Sequence, residues 1–227
     1  MSLVTAAAAA LAASMTVISP AAAAPSATAD PSPNPTAFVL ERFRPASAAQ
    51  GDRGAVTYDS ALVPTTAVAL VAELRIPHGK WHDQMRDHDR RDQEMREHGE
   101  YGKKGMPPRG TFVFLALRGV EPDHHFGIHV HTRPCGAQPD SSGPHYQNVK
   151  DPKQPSTNPK YANARNEMWL DLTTDSRGDG RAKSLVKWHF RAGEARSVVI
   201  HEHGTATHMG RAGTAGDRVA CINVPFR

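Results

Sequence analysis

Histidine carries the chemistry of this sequence. His129-Val130-His131 sets two imidazoles two residues apart. On a strand, where side chains alternate, both leave the same face and can reach one metal ion. The same spacing also fits a half-buried strand with two hydrogen-bonded histidines, so the company it keeps decides between the two. His145 follows in Gly143-Pro144-His145-Tyr146, and His201 ends the apolar run Val198-Val199-Ile200. Three or four neutral imidazoles around one ion suit copper or zinc.

These residues need a rigid frame, and the rest of the chain supplies strands. From Ala37 on, apolar runs are short and often β-branched. Strands are expected at 68–76, 111–117, 126–131, 168–172, 182–190, 197–201 and 219–224, with turn signals such as Arg177-Gly178-Asp179-Gly180 and Arg191-Ala192-Gly193-Glu194 between them. Many short strands and few helical signals predict an all-β sandwich or barrel. The exception is an insert at 78–106, dense in charge and in good helix formers. It carries a crude repeat, Met85-Arg86-Asp87-His88 and Met95-Arg96-Glu97-His98. It reads as a charged helical or flexible insert between strands. Its paired Met and His also suit the capture of copper. Tyr146–Arg165, rich in Pro, Asn and Lys, reads as a long loop of the kind that is functional or tied down.

The 227 residues fit one ordinary domain or two small ones. The net charge of +4 is mild and the cations are scattered, which argues against a nucleic-acid partner. Residues 1–24 hold no charged side chain and read as a signal peptide, with cleavage after Ala24 or as late as Ala29. No membrane span is expected in the mature chain, because the Ala-rich block is short and weakly apolar. Residues 25–36 are Pro-rich and form a linker, leaving 37–227 as the domain. The expected location is outside the cytoplasm: secreted, or in the cell envelope or periplasm. In an oxidising compartment Cys135 and Cys221 either form one bridge or stand as two buried thiols.

Taken in order, the run Gly119, His125-Phe126-Gly127-Ile128-His129-Val130-His131, Cys135, Gly143-Pro144-His145, Val199-Ile200-His201-Glu202 and Ala215-Gly216-Asp217-Arg218-Val219-Ala220-Cys221 resembles the copper–zinc superoxide dismutase family. The resemblance spans about 37–227, and its strongest motifs lie at 119–146 and 197–222. It implies a Greek-key β-barrel of the immunoglobulin-like sandwich class. It implies that His129, His131, His145 and His201 bind copper, and that His145 is the ligand that would bridge to zinc and deliver a proton. It further implies a Cys135–Cys221 disulfide and an anion-holding role for Arg218 beside the metal.

One part of the family pattern is missing. The segment after His145 holds no histidine before His189, and Asn166-Glu167-Met168-Trp169 has Asn and Trp where His and Asp would fall. Asp151, Glu167 and Asp171 are nearby carboxylates, but oxygen ligands with one His make a poor zinc set. The chain therefore resembles copper-only members, with zinc absent. The activity implied is copper-dependent dismutation of superoxide to oxygen and hydrogen peroxide outside the cytoplasm. The alternative is an exported copper-binding or buffering protein with little turnover, which the Met/His insert and the extra His124, His203 and His208 favour. Retention of Arg218 favours the enzyme, since a buffer needs no anion dock.

Overall fold

The computed structural model describes residues 36–49, 51–76 and 109–227. The signal segment 1–24, its later cleavage point, nearly all of the linker and the insert 78–106 lie outside the described residues. The strands are β1 (Ala37–Pro45), β2 (Ala55–Thr57), β3 (Val68–Ile76), β4 (Gly110–Arg118), β5 (His125–His131), β6 (Leu172–Thr173), β7 (Gly180–Val186), β8 (Ser197–His201) and β9 (Arg218–Asn223). They form one nine-stranded sheet in the order β6-β5-β8-β9-β2-β1-β3-β4-β7. Only β1 and β2 run parallel. The connections β4–β5 and β7–β8 cross from one half of this order to the other, which gives the Greek-key path.

The two outermost strands, β6 and β7, are consecutive in the chain. A tight turn joins them: the Asp175 N–H donates to the Asp179 carbonyl at 2.9 Å, and the Gly178 N–H to the Asp175 carbonyl at 2.9 Å. Gly178 has φ +75°, and a Cβ there would overlap the carbonyl of Val120, so glycine is required. The sheet thereby curls into a nearly closed barrel, as expected for the all-β class.

Alternation along the strands fills the interior. Phe43, Val71, Val113, Leu115, Leu117, Phe126, Ile128, Val130, Val198, Ile200 and Ile222 meet in one buried core. On β5 and β8 the residues between these point the other way. His129, His131 and His201 leave the barrel wall on its outer face, as does Val199. Val199 packs with Val56, Cys135 and Cys221 in a small satellite cluster. Cys135 and Cys221 form a disulfide across 86 residues of sequence. Closing a loop of that length contributes about 4–5 kcal/mol on the chain-entropy model.

The observed strands at 68–76 and 197–201 have the expected bounds, and three others differ by a residue at one or both ends. Two expectations need correction. The run 182–190 is strand only to Val186. Beyond it Trp188 and Phe190 both turn inward and stack with Tyr146 at 5.6 and 4.9 Å between ring centroids, so aromatic packing ends the ladder. The run 168–172 pairs with β5 through the single bridge His129↔Trp169 and then the short β6. Strands β1 and β2 come in addition to those expected from sequence.

Inside the barrel β3 also carries a carboxyl group. Glu73 is fully buried; its Oε2 accepts the Arg227 N–H at 3.1 Å and its Oε1 has no partner. Burial pushes its pKa up to about 7, against the pull of the Arg227 N–H and of Arg75. The unfolded chain releases this proton near the ordinary Glu value of about 4.3. The folded state therefore holds a proton that the unfolded state gives up, and its contribution to stability is complete below that value. It is lost as pH rises through about 7. Glu73→Gln should remove this dependence. The stability of the variant relative to the parent should rise between pH 5 and pH 8 by about 3 kcal/mol. Urea melts at the two pH values measure it, and a pH-independent difference contradicts the assignment.

Candidate metal centre

The metal-ligand cluster lies on the outer face of β5 and β8, under the loops that follow β5 and β8. Period two on β5 sets His129 and His131 side by side, both fully buried. His201 ends β8, where the register with β9 shifts: Ile200 faces Ala220 but His201 faces Arg218. This bulge brings His201 opposite the arginine instead of Val219 and re-aims its ring. His145 arrives from the loop after β5. It pairs with His131 in an isolated bridge, and the next residue, Tyr146, donates its N–H to the Val130 carbonyl at 2.8 Å. Tyr146 is itself clamped by Trp188, Phe190 and the Arg191 guanidinium.

The four histidines expected from sequence are brought together: one ring nitrogen from each lies within 4.8 Å of all the others. Burial is the first cause that holds His129 and His131 well below the usual imidazole range, and the neighbouring rings add to it. Burial likewise lowers His201 to about 3. Neutral imidazoles are metal ligands, and the protonated ring is not.

The outward nitrogens are held by partners, which fixes what the inward ones offer. His131 Nδ1 donates to the Gly143 carbonyl at 2.8 Å, which leaves an Nε2 lone pair. His145 Nδ1 donates to Glu167 Oε2 at 2.9 Å, with the same result. His201 Nδ1 faces the Gly216 carbonyl at 3.4 Å. The Nε2 atoms of His131 and His201 stand only 3.4 Å apart. Two lone pairs at that separation repel unless a cation lies between them. His129 Nδ1 is buried without a partner, an orphaned acceptor or donor inside the cluster. An all-imidazole set with an orphaned nitrogen fits a copper or zinc ion.

Glu167 is the residue that sequence reasoning placed only loosely. Its carboxylate is buried and accepts three N–H groups: His145 Nδ1, Trp169 Nε1 at 2.7 Å and, on the other oxygen, Gln147 Nε2 at 2.7 Å. No sequence signal joins His145 to Glu167 across the long loop. The other two nearby carboxylates serve elsewhere. Asp151 accepts Ser156 Oγ and the Lys153 N–H within its own loop. Asp171 accepts the N–H groups of Ile128 and Thr205. Asn166 ties the loop to Val149 and Tyr161.

Arg218 opens β9. Its Nη1 donates to the Pro139 carbonyl at 3.1 Å and to Ser142 Oγ at 2.9 Å, both in the 3-10 turn between Cys135 and His145. Asp140, almost fully exposed, stands 3.7 Å away. Arg218 lies close enough to the cluster that its charge helps to lower His129, His131 and His201. The further histidines stand outside the cluster. His124 contacts the Glu202 carbonyl and packs on Phe126, while His203 and His208 are exposed.

A Greek-key barrel with four converging imidazoles on its outer wall defines a metal-binding β-barrel protein. The chain belongs to the copper/zinc superoxide dismutase family (SODC), whose model matches residues 100–224. Solved structures similar to it include a mutant of a SOD-like protein from Bacillus subtilis, at 12% identity over 70% of this chain and 90% of that one, TM-score 0.43. The clock protein EA4 is 16% identical over 71% and 88%, TM-score 0.44. The Cu/Zn superoxide dismutase from Brucella abortus is 19% identical over 50% and 86%, TM-score 0.35. No curated protein matches the chain.

Gly127, two residues before His129, lets the loop after β8 approach β5. A Cβ there would stand 2.6 Å from the His203 carbonyl, 2.7 Å from Ala215 Cβ and 2.9 Å from Thr205 Oγ1. Gly127→Ala should therefore push that loop off the cluster. The expected cost is about 1–3 kcal/mol in apo stability together with weaker metal binding. Chemical denaturation and a metal titration on the same sample measure both. A variant equal to the parent in both shows that the approach is not required.

Proposed function

We propose that this protein dismutates superoxide with copper alone, bound by His129, His131, His145 and His201. The observation that carries this reading is the His145–Glu167 hydrogen bond. A second metal bridged to the first through His145 needs the Nδ1 lone pair. Here that nitrogen donates a proton to a buried carboxylate that also satisfies Trp169 and Gln147. Glu167 thus does for the imidazole what zinc would do, fixing ring and tautomer.

Bound copper supplies a one-electron couple that one superoxide reduces and a second reoxidises, yielding oxygen and, with two protons, hydrogen peroxide. Arg218 holds the substrate anion beside the metal, its guanidinium steered by Pro139 and Ser142. His145 is the proton-handling ligand, since its ring is held on the far side by Glu167 and its side chain is partly exposed. The disulfide supports an exported location. Among the described residues no helix is long and apolar enough to cross a membrane. The notion that the 78–106 insert gathers copper belongs to this reading as an accessory role.

Elemental analysis after exposure to both metals should give about one copper and no stoichiometric zinc. Near-equimolar zinc surviving dialysis beside copper rules out the copper-only reading. Copper-loaded protein should accelerate superoxide decay in pulse radiolysis against an apo control; full occupancy without turnover leaves the copper buffer as the reading. Arg218→Ala should keep its copper and lose about ten-fold or more in kcat/KM, the scale of about 1.4 kcal/mol of transition-state stabilisation. Arg218→Lys should fall between, with the charge kept and the planar fork lost. Parental kinetics in Arg218→Ala at equal occupancy refute the anion-holding role.

A further inference from the structure

His129 differs from the other three ligands in how its ring is held. Its outward nitrogen is Nε2, and that nitrogen meets a side-chain hydroxyl, Thr205 Oγ1, at 2.6 Å. A hydroxyl can donate or accept, so this contact alone leaves the tautomer open. The next bond closes the choice. Thr205 Oγ1 also lies 2.8 Å from Asp171 Oδ1, and a carboxylate only accepts. The single hydroxyl proton therefore goes to Asp171. Thr205 Oγ1 must then accept from His129, which puts the ring proton on Nε2 and the lone pair on Nδ1. Nδ1 is the buried nitrogen that has no protein partner.

Asp171 is fixed for this task. Its Oδ1 takes the Ile128 N–H at 3.1 Å from the strand that carries His129, and its Oδ2 takes the Thr205 N–H at 2.8 Å. Three segments thus meet behind one ring: β5, the stretch before β6 and the loop after β8. We propose that Thr205, held by Asp171, is a positioning residue that locks His129 in the Nε2–H tautomer and so presents Nδ1 to the metal. This rests on the metal-binding half of the proposed function and not on turnover. The cluster would then offer one Nδ1 and three Nε2 donors, each set by a partner on the opposite side of its ring.

Nitrogen-15 NMR of the copper-free protein reads the tautomer directly. The parent should show His129 protonated at Nε2. Thr205→Val keeps the shape and removes the acceptor, so the His129 signals should move toward a mixture of tautomers. Its copper affinity, measured by competition with a chelator, should fall ten- to hundred-fold, the usual range for loss of a group that orients a metal ligand. The copper EPR spectrum should broaden or shift with it. Thr205→Ser keeps the hydroxyl and should restore tautomer, affinity and spectrum. Urea midpoints of the apo proteins separate a local effect from unfolding. If Thr205→Val does not fold, the parent's tautomer and Thr205→Ser decide. A parental His129 protonated at Nδ1 overturns the proposal, as does parental affinity in a folded Thr205→Val. A protein that binds copper without dismutating superoxide refutes the enzyme reading and leaves these readouts standing.

Discussion

Four imidazole lone pairs must converge in a place with little water, and most of the structure follows from that requirement. Neutral rings so close together repel through their lone pairs when no cation sits among them, and hydrogen bonds hold them in place. Each ring nitrogen that faces away from the cluster meets a partner: Thr205, Gly143, Glu167 or Gly216. Burial keeps at least three of the rings neutral, which metal binding requires. The site is thus assembled in advance by the protein, with its donors already deprotonated and aimed.

The barrel makes this possible by separating two tasks on the same strands. Ile128, Val130, Val198 and Ile200 face inward and carry the hydrophobic stabilisation. His129, His131 and His201 face outward from the same rigid backbone. Loops then close over the outer face, and each is fastened away from the metal. Tyr146 anchors the first loop in an aromatic stack, and Asn166 cross-links it internally. The Cys135–Cys221 bond fastens the turn that holds Arg218 to the strand that carries it. Anion-holding group and metal ligands are therefore parts of one cross-linked unit, and a change in one loop is felt by the other.

Glu167 has the clearest functional consequence. Where family members with two metals use a second ion to hold the far side of the bridging ring, this chain presents a buried carboxylate. Trp169, which occupies a position where a zinc ligand would fall, donates its indole N–H to that carboxylate and lies 5.8 Å from the His129 ring. The residues that replace the expected ligands are thus part of what takes the place of the second site.

The sequence by itself determined the strand class, the four ligands and the arginine. Period-two alternation and β-branched runs are local signals, and His129-Val130-His131 declares its shared face without any tertiary contact. The short motifs around Gly143-Pro144-His145 and Arg218-Val219-Ala220-Cys221 were equally legible, because each keeps its residues within a few positions. The three-residue β2 offered too little pattern, and the end of β7 depended on where Trp188 and Phe190 found aromatic partners. Glu167, Thr205 and Asp171 stayed invisible for a related reason. Their meaning lies in single hydrogen bonds between residues far apart in the chain, and a carboxylate or hydroxyl in a loop has no periodicity to betray its partner. Only the closed barrel, with its loops folded onto β5, decided which nitrogen of each ring faces the metal, because that choice is made by the group standing behind the ring.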